Sequence, residues 1–589
     1  MSPPILAQRL LLFCLLTAAS LLFAAKSHAQ QSNAGSSDKT TGTITGRVIN
    51  STGEPLAGAS VSAYQVGRSN GRPGMTTADN RGEFKIDGLA PGIYSVSASL
   101  PGYISLQNMF FTRDAITYYH PGDSLTITLI KGAVITGKVT GADGALVGIG
   151  VFATRVRDGE GKKLVAGQRY EKRTDDRGVF RFYGLAPGSY ILWAAKPSFG
   201  TILPSAYDND VPTYYPSATR DTAAEIGARD GDEITADIHY WAESGHAVSG
   251  RVAKISNGGG PYVNQPSISI FNIRNRAEIQ STGVDESANF AFSFYGLPDG
   301  EYELTAGQYL SSSGEQLKSA PQRVTIRGAD VTGITLSLAQ QAAIDGQLII
   351  EIDPKLQCGK RKNSLPQETM VWARRYEPPP NAGETKTVDP VSLSATNYAT
   401  FVIADAKGSF SFKNLPGGSY RIDPSGFPEG WYVRSISKGP NSAAANAAIA
   451  REDVSVRNGE HLTGLTVTIS EGAAQLRGRV SAGENMPPRP VVYLLPAEAN
   501  GAENVLRFYE VRAEADGTFK LNNVAPGNYW IVAQPFDESD AIMPPKSIRR
   551  DATVRAQVLH YAETMKKPVT LKPCEQVLDF NLPFSARTP

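Results

Sequence analysis

Apolar and polar residues alternate with a period of two in short runs along most of the chain. Phe84 and Ile86 point to one side of the backbone while Lys85 and Asp87 point to the other, which is typical of a strand with one buried face. Clusters of Gly, Pro and Asn bound these runs, and helical periodicity is weak everywhere except over 552–565. The pattern predicts an all-β protein.

A two-part pattern recurs five times, and it divides the chain into units. A short β-rich run around a glycine comes first, and a Phe-containing strand, a Pro-Gly corner and a tyrosine follow. The positions that define the repeat are Gly46, Phe84, Pro91, Gly92 and Tyr94; Gly137, Phe180, Pro187, Gly188 and Tyr190; Gly250, Gly300 and Tyr302; Gly346, Phe410 and Tyr420; and Gly478, Phe519, Pro526, Gly527 and Tyr529. Successive tyrosines lie 96 to 118 residues apart, which suits a whole sandwich domain rather than a solenoid repeat.

The corner of each unit has a local physical explanation. Pro91 fixes φ and Gly92 accepts a positive φ, so the chain reverses before the strand that starts near Tyr94. By analogy with other sandwiches, we expect the tyrosine ring to lie in the core and its hydroxyl to bond nearby backbone. In the first unit, 42–49, 59–65, 83–89, 93–100 and 124–130 are predicted strands, with room for two more.

These motifs resemble the carboxypeptidase regulatory-like domains. The resemblance is carried by the opening strand around Gly46, the turn 79–84 and the corner 89–94, and all five units share it. It implies a tandem array of five Greek-key, roughly seven-stranded transthyretin-like β-sandwiches, a fold also grouped with carbohydrate-binding-like and collagen-adhesin B-type domains, in a secreted bacterial protein. The third unit departs from the family pattern at one turn, because Phe290 stands where the turn glycine is expected.

The repeats predict where the chain divides. The predicted parts are a signal peptide at 1–29, a flexible segment at 30–41, and sandwiches at 42–131, 132–243, 244–340, 341–471 and 472–589. The fourth sandwich carries a basic, proline-bearing insertion over 358–389. Because one sheet ends and the next begins within a few residues, the linkers predict a stiff, extended rod.

The N-terminus has the pattern of a secretory signal. Arg9 precedes an apolar run over 10–25, and the small residues Ser27 and Ala29 follow it. The run is shorter than a membrane span, so we expect cleavage after Ala29 and a secreted, periplasmic or cell-surface protein with no transmembrane segment after removal of the signal. An uncleaved anchor and lipid attachment at Cys14 are the alternatives, and Cys14 lacks the preceding small residues of a lipobox.

Charge and cysteine content narrow the functional class. Lys and Arg number 58 and Asp and Glu number 57, for a net charge of +1, which excludes a strongly basic nucleic-acid binder. After signal removal only Cys358 and Cys574 remain. They could form a disulfide between units or stay as two thiols, since sequence says nothing about their separation.

A search for reactive groups yields no catalytic, cofactor-binding or metal-binding set. His560 and Glu563 have an H-x-x-E spacing, but no histidine follows to complete a zinc site. The candidate ligand or partner contacts are the aromatic residues outside the repeat and the basic run of the insertion: Tyr214, Tyr215, Trp241, Trp372, Lys360, Arg361 and Lys362. Tyr214 and Tyr215 could equally pack a long loop onto its sandwich.

The sequence thus predicts a non-enzymatic secreted or envelope-associated structural or interaction protein that needs no cofactor. Its partner would be an envelope protein or a glycan, and not a nucleic acid. Carbohydrate or polysaccharide binding by the sandwiches is one alternative. A second is an accessory or regulatory module for a peptidase or an outer-membrane transporter.

Overall fold

The computed structural model is almost entirely β-structure. It describes residues 41–584 except 68–72, 106–116, 165–168, 196–206, 254–264, 274–277, 311–313, 357, 359–364, 377–398, 439–453, 482–489, 499–503, 536–547 and 550–551. Within this part of the chain there are 40 strands and one α-helix. The all-β prediction is confirmed. The predicted signal peptide at 1–29 and nearly all of the segment at 30–41 lie outside the described residues.

The first unit is a two-layered sandwich of seven strands. They are β1 (Gly42–Ile49), β2 (Ser60–Gln65), β3 (Gly74–Thr77), β4 (Glu83–Leu89), β5 (Tyr94–Ser99), β6 (Tyr103–Ser105) and β7 (Ser124–Lys131). One sheet has the order β4-β1-β7-β6 and the other β3-β2-β5. The five strands expected from alternation are present to within a residue at each end.

The second unit begins two residues after β7 ends. Its strands are β8 (Ala133–Gly141), β9 (Gly144–Ala145), β10 (Gly150–Arg157), β11 (Arg169–Arg173), β12 (Val179–Leu185), β13 (Gly188–Ala195), β14 (Thr213–Tyr214), β15 (Ile226–Ala228), β16 (Glu233–Thr235) and β17 (Ile238–His239). The order β12-β8-β16 forms the core of one layer, and β11-β10-β13-β14 forms the other. The first sheet of this unit thus repeats the β4-β1-β7 arrangement.

The third unit joins its two layers into one continuous sheet. Its strands are β18 (His246–Ala253), β19 (Ser267–Asn272), β20 (Glu278–Gly283), β21 (Ala291–Leu297), β22 (Gly300–Leu310), β23 (Glu315–Ser319), β24 (Gln322–Ile326) and β25 (Val331–Gln340). The layers connect because β23 pairs with both β22 and β25.

The fourth unit has two four-stranded sheets. Its strands are β26 (Ala342–Glu351), β27 (Met370–Tyr376), β28 (Ala399–Ile403), β29 (Ser409–Leu415), β30 (Gly418–Ser425), β31 (Trp431–Lys438), β32 (Val454–Val456) and β33 (His461–Glu471). The sheet orders are β29-β26-β33-β31 and β28-β27-β30-β32.

The fifth unit adds a helix to the sandwich. Its elements are β34 (Ala474–Ser481), β35 (Val491–Pro496), β36 (Tyr509–Arg512), β37 (Thr518–Val524), β38 (Gly527–Gln534), α1 (Ala552–Met565), β39 (Pro568–Leu571) and β40 (Gln576–Pro583). The helix covers the outer face of the β35–β38 sheet, where Val558 and Tyr561 pack against Leu495 and Val532. The helix coincides with the stretch over 552–565 where the sequence shows helical periodicity.

Each predicted sandwich has a buried apolar core of its own. The five cores draw their residues from 44–129, 133–240, 248–338, 342–469 and 474–582. The buried residues of each core thus come from one repeat, although the partly buried Leu506 of the fifth unit packs against the fourth core. The limits drawn between the units remain a prediction.

The glycine and the phenylalanine of the repeat are cross-strand partners. Gly46 pairs with Phe84 between β1 and β4, and a Cβ added at Gly46 would lie 2.6 Å from the Phe84 ring. The same pairing joins Gly346 to Phe410. The bare glycine backbone therefore makes room for the ring, which explains why the two motif halves occur together.

All five corner tyrosines have the expected geometry. Each hydroxyl donates to the carbonyl oxygen four residues upstream, from Tyr94, Tyr190, Tyr302, Tyr420 and Tyr529. Burial raises the pKa of Tyr190, Tyr302 and Tyr529 well above the usual range. These hydroxyls are therefore neutral donors that pin the corner.

Candidate functional site

The joints between consecutive units share one structural device. The residue just before the corner Leu or Val has a positive φ in every unit: 75° at Gly88, 67° at Gly184, 68° at Gly296, 60° at Asn414 and 56° at Asn523. In the last four units this residue meets a segment that follows the tyrosine strand of the preceding unit. The repeat motif therefore also builds the joints.

At the first joint the contact is made by glycine backbone. A Cβ added at Gly184 would lie 3.6 Å from Ile104 of the first unit, and one added at the linker residue Gly132 would lie 2.6 Å from the Gly184 Cα. The Gly132 amide donates to the Gly102 carbonyl at 3.0 Å. The linker is thus bonded to the first unit through main chain, while Gly184 faces the Ile104 side chain.

The second joint repeats this arrangement more tightly. A Cβ at Gly296 would overlap the Asp210 carbonyl oxygen and would lie 3.2 Å from that of Asp208. The linker residue Gly245 donates its amide to the Asn209 carbonyl at 2.7 Å. Close approach and the positive φ both require glycine at position 296.

The third and fourth joints use asparagine in place of glycine. Asn414 Oδ1 accepts the Gln316 amide at 2.6 Å, and its Nδ2 donates to the Gly314 carbonyl at 3.1 Å. Asn523 Oδ1 accepts the Gly430 amide at 2.9 Å. Asparagine tolerates the left-handed region and supplies a side chain that bonds across the joint.

The fourth joint is further braced by one carboxylate. Glu429 Oε1 accepts from Lys520 Nζ at 2.7 Å and from Asn522 Nδ2 at 3.0 Å, while Oε2 accepts from Gln475 Nε2 at 2.9 Å. The hydrogen bond from Lys520, followed by that from Gln475 and the nearby positive charges, holds the pKa of Glu429 below its usual value.

A disulfide also crosses this joint. Cys358 and Cys574 are bonded, with their Cα atoms 5.2 Å apart. Cys574 lies beside the linker, because its amide donates to the Gly472 carbonyl at 3.0 Å. Of the two possibilities left open by the sequence, the structure contains the disulfide between the fourth and fifth units.

The first and fourth units are in direct contact, and this corrects the expectation of an extended rod. Ile93 of the first unit is fully buried against Met370 and Trp372 of the fourth, and Val66, Ile403 and neighbouring aromatic rings pack around them. We call this cluster the clasp. The chain therefore folds back on itself, since an extended rod would keep these units far apart.

The clasp also overturns the prediction for Trp372 as an exposed ligand contact. Its side chain is only 3% exposed, its Nε1 donates to Ser425 Oγ at 3.0 Å, and the Phe401 ring lies 4.7 Å away. The Arg374 guanidinium lies 4.5 Å from its ring centroid. The Trp372 ring is buried in the contact between the first and fourth units, so a glycan cannot reach it in this conformation.

Tyr214 is part of an aromatic row on the second unit. Phe152, Trp193 and Tyr214 occupy adjacent positions on three neighbouring strands, with ring centroids 5.3 Å and 5.6 Å apart. The Arg169 and Arg220 guanidiniums lie over the two end rings. The ring faces that a sugar would stack on are therefore occupied by one another and by arginine.

Sequence reasoning missed Phe152 and Trp193 because they lie inside strands of the repeat. The signal that would have found them is the alternation itself. Val151 and Ala153 face the core, so Phe152 between them must face outward. An aromatic residue on the outer side of a strand indicates a second contact surface.

The remaining predicted contacts fall in different surroundings. Tyr215 packs against the core of the second unit and donates its amide to the Leu192 carbonyl at 3.0 Å, as the loop-packing alternative expected. Trp241 is 52% exposed and remains open to a partner. Lys360, Arg361 and Lys362 lie outside the described residues.

A polar cleft lies where the third and fourth units meet. Its volume is about 280 Å³, and it is lined by the first two residues of β23 (315–316), by residues 340–343 around the linker and by the strand positions Asp345, Ser411, Lys413 and His461. His461 Nε2 and Asp345 Oδ2 are 2.7 Å apart. Although burial raises the pKa of Asp345, hydrogen bonds from Ser411 and His461 outweigh it and lower that pKa.

The aspartates of the repeat turns bind backbone. Asp79 Oδ1 accepts the amides of Arg81 and Glu83, each at 2.8 Å, and Asp175 does the same with Arg177 and Val179. These bonds lower the pKa of Asp79 and Asp175. Within the described residues, no three His, Cys, Asp or Glu side chains are grouped so that they could hold a metal ion.

Among the residues that the structure describes, no helix has the length and apolar character needed to cross a bilayer.

Comparison with known proteins agrees with the class defined by the fold and the repeat. Residues 43–115 match the family model of the carboxypeptidase regulatory-like domain, so the resemblance read from the motifs is confirmed, and it is the first unit that carries the match. The chain is 26% identical over 303 residues to the human BOS complex subunits NOMO3 and NOMO1. These matches cover 51% of this chain but only 21% of each relative.

The chain also has similarity to solved structures of two pilins. They are the minor pilin GBS52 of Streptococcus agalactiae, 14% identical with a TM-score of 0.19, and the shaft pilin SpaA of Lactobacillus rhamnosus GG, 13% identical with a TM-score of 0.15. Each match covers 35% of this chain, and 98% and 99% of the respective pilin.

Proposed function

We propose that this chain is a non-enzymatic structural and interaction protein, secreted to or held at the cell envelope, in which five sandwiches form a jointed scaffold. The observation that carries the proposal is the use of the repeat motif itself for joining units. At every joint the left-handed residue of one sandwich contacts the preceding one. A scaffold function requires such defined relative positions.

The relatives support an interaction role with protein partners. They are named as subunits of a complex, and by analogy this chain would assemble with other proteins, as an accessory module would. Trp241 is half exposed on the second unit, and exposed aromatic rings are common anchors of protein interfaces. It is our leading candidate for a partner contact.

The polar cleft supports the non-enzymatic assignment. Ser411, Asp345 and His461 lie together there, but the carboxylate lies between the other two and accepts from both. In a hydrolase the imidazole must contact the serine hydroxyl in order to remove its proton. This order of groups differs from the Ser-His-Asp arrangement, in which the imidazole lies between the hydroxyl and the carboxylate.

Site-specific photo-cross-linking in the native envelope tests the proposal. A photoreactive residue in place of Trp241 should yield discrete protein adducts. The matched control replaces Trp431, which is only 2% exposed and should yield none. Cell fractionation of the same strain should place the mature chain outside the cytoplasm.

Two results would contradict the proposal. One is turnover of peptide or ester substrates by the purified chain, abolished by Ser411→Ala, which would make it an enzyme. The other is the absence of adducts from Trp241 and from further exposed positions such as Tyr183 and Tyr64, which would remove the interaction role.

A further inference from the structure

The cleft at the third joint is built from rigid elements on both sides. Strands β26, β29 and β33 are hydrogen-bonded neighbours, and they present Asp345, Ser411 and His461 side by side. On the opposite side, Glu315 and Gln316 at the start of β23 belong to the third unit. Because Asn414 bonds both Gln316 and Gly314, the two walls are held at a set distance.

The size and lining of the cleft indicate a small polar ligand. At about 280 Å³ it is at the lower end of ligand pockets, which are usually lined by apolar and aromatic side chains. Here the lining side chains are amides, carboxylates, a hydroxyl, an ammonium and an imidazole, with alanine and glycine as the only apolar residues. A hydrophobic cofactor would find no large apolar or aromatic side chain to pack against.

The mixture of charges points to a neutral ligand. Glu315, Asp345 and Glu460 carry negative charge and Lys413 carries positive charge in the same cleft. Three carboxylates against one ammonium would repel a phosphate or another anion, and within the described residues no three His, Cys, Asp or Glu side chains are grouped so that they could hold a metal ion. A hydroxyl group both donates and accepts, so it can bond a carboxylate and an ammonium or amide at the same time.

We propose that this cleft binds a single neutral sugar ring, either as a free sugar or as part of a glycan. Ring hydroxyls spaced around a small frame match donors and acceptors that converge from two walls. With no aromatic platform in the lining, dispersion contacts are few, and we expect a dissociation constant of about 1 mM. The proposal goes beyond the scaffold function and does not depend on it.

Saturation-transfer NMR on the full mature chain tests this site. The probes are glucose, galactose, mannose and N-acetylglucosamine, each alone and as a disaccharide. We expect saturable binding of at least one probe, weakened about tenfold or more by Lys413→Ala and by Glu460→Gln. Tighter binding of the disaccharide would indicate a glycan chain, and equal binding a free sugar.

Lys85→Ala is the matched control. Lys85 is an exposed lysine of β4, which is the strand of the first unit that corresponds to β29, so its loss should leave binding unchanged. Failure of all probes to bind the folded wild-type chain would overturn the proposal, as would binding that both cleft variants leave intact. Either result would leave the protein-partner function standing, because that function is read out by cross-linking at Trp241.

Discussion

The first two joints and the last two joints solve the same problem with different residues. In all four, a residue with positive φ in one sandwich meets a segment of the sandwich before it. At Gly296 the neighbouring main chain comes so close that a Cβ would overlap it, and at Gly184 a Cβ would contact the Ile104 side chain at 3.6 Å. At Asn414 and Asn523 the neighbour lies farther away, and an amide side chain spans the gap.

The difference shows that the backbone conformation and the contact are separable requirements. Both residue types accept the left-handed region, glycine because it has no Cβ and asparagine because its short side chain bonds locally. Only glycine permits direct backbone contact, and only asparagine supplies hydrogen bonds. Gly88 of the first unit has the positive φ without the contact, since its φ is +75° and no described atom lies within 4 Å of an added Cβ. It therefore serves as the reference for the conformational requirement alone.

The largest effect is expected for Gly296→Ala. The new Cβ would overlap the Asp210 carbonyl in addition to adopting an unfavourable φ, which we expect to cost about 2–4 kcal/mol in total. Hydrogen exchange should quicken at the Gly245 and Val211 amides, which bond within this joint. Gly88→Ala isolates the cost of φ at about 1–2 kcal/mol, and equal effects of the two variants would refute the close-contact explanation.

A smaller effect is expected for Asn414→Gly. Glycine keeps the positive φ but removes both side-chain hydrogen bonds, leaving the Gln316 amide and the Gly314 carbonyl without this partner. We expect a loss of about 1–3 kcal/mol, measured as faster exchange of the Gln316 amide. Asn414→Asp keeps the acceptor for that amide and should protect it better than glycine does. Unchanged exchange in the glycine variant would show that the amide does not hold the joint.

In the turn before β21, a left-handed position is occupied by phenylalanine instead of glycine or asparagine. Phe290 has a φ of +56° and its carbonyl accepts the Val252 amide, as the Gly82 carbonyl accepts that of Val48. The turn that the sequence left in doubt therefore forms, with a bulky residue in a conformation that is costly for it. Phe290→Gly should raise the free energy of unfolding of the third unit by about 1 kcal/mol. The reciprocal change Gly82→Ala should lower it in the first unit, and destabilisation by both would show that the Phe290 ring contributes more than its strain costs.

The smallest effect is expected for the pH dependence of the fourth joint. The folded state lowers the pKa of Glu429, mainly through Lys520, so this carboxylate stabilises the fold above the unfolded pKa near 4.5. That contribution is lost as the pH falls through the lower folded pKa. Proteolysis near 471, measured with an acid-active protease, should therefore quicken below pH 4.5 in the wild-type chain. Glu429→Gln should flatten this dependence, and an unchanged profile would exclude Glu429 as its source.

Local patterns were sufficient to predict the strands and the tyrosine corners, and they indicated helical periodicity over 552–565. Each depends on residues a few positions apart, so its cause can be read directly from the chain. The pairing of Gly46 with Phe84 is longer in range, yet its repetition in five units made it visible. For these features the side-chain period and the turn chemistry leave few alternatives.

The arrangement of the units was decided by tertiary structure alone. Alternation in β27 correctly separates Val371 and Ala373, which face the core, from Trp372, but it cannot say whether the outer face meets solvent or another unit. That depends on small rotations at each joint, which accumulate over nearly 300 residues between Ile93 and Trp372. Three features arise where such distant segments meet: the clasp, the Cys358–Cys574 disulfide and the polar cleft. Because each depends on residues far apart in the chain, no local pattern in the sequence predicts it.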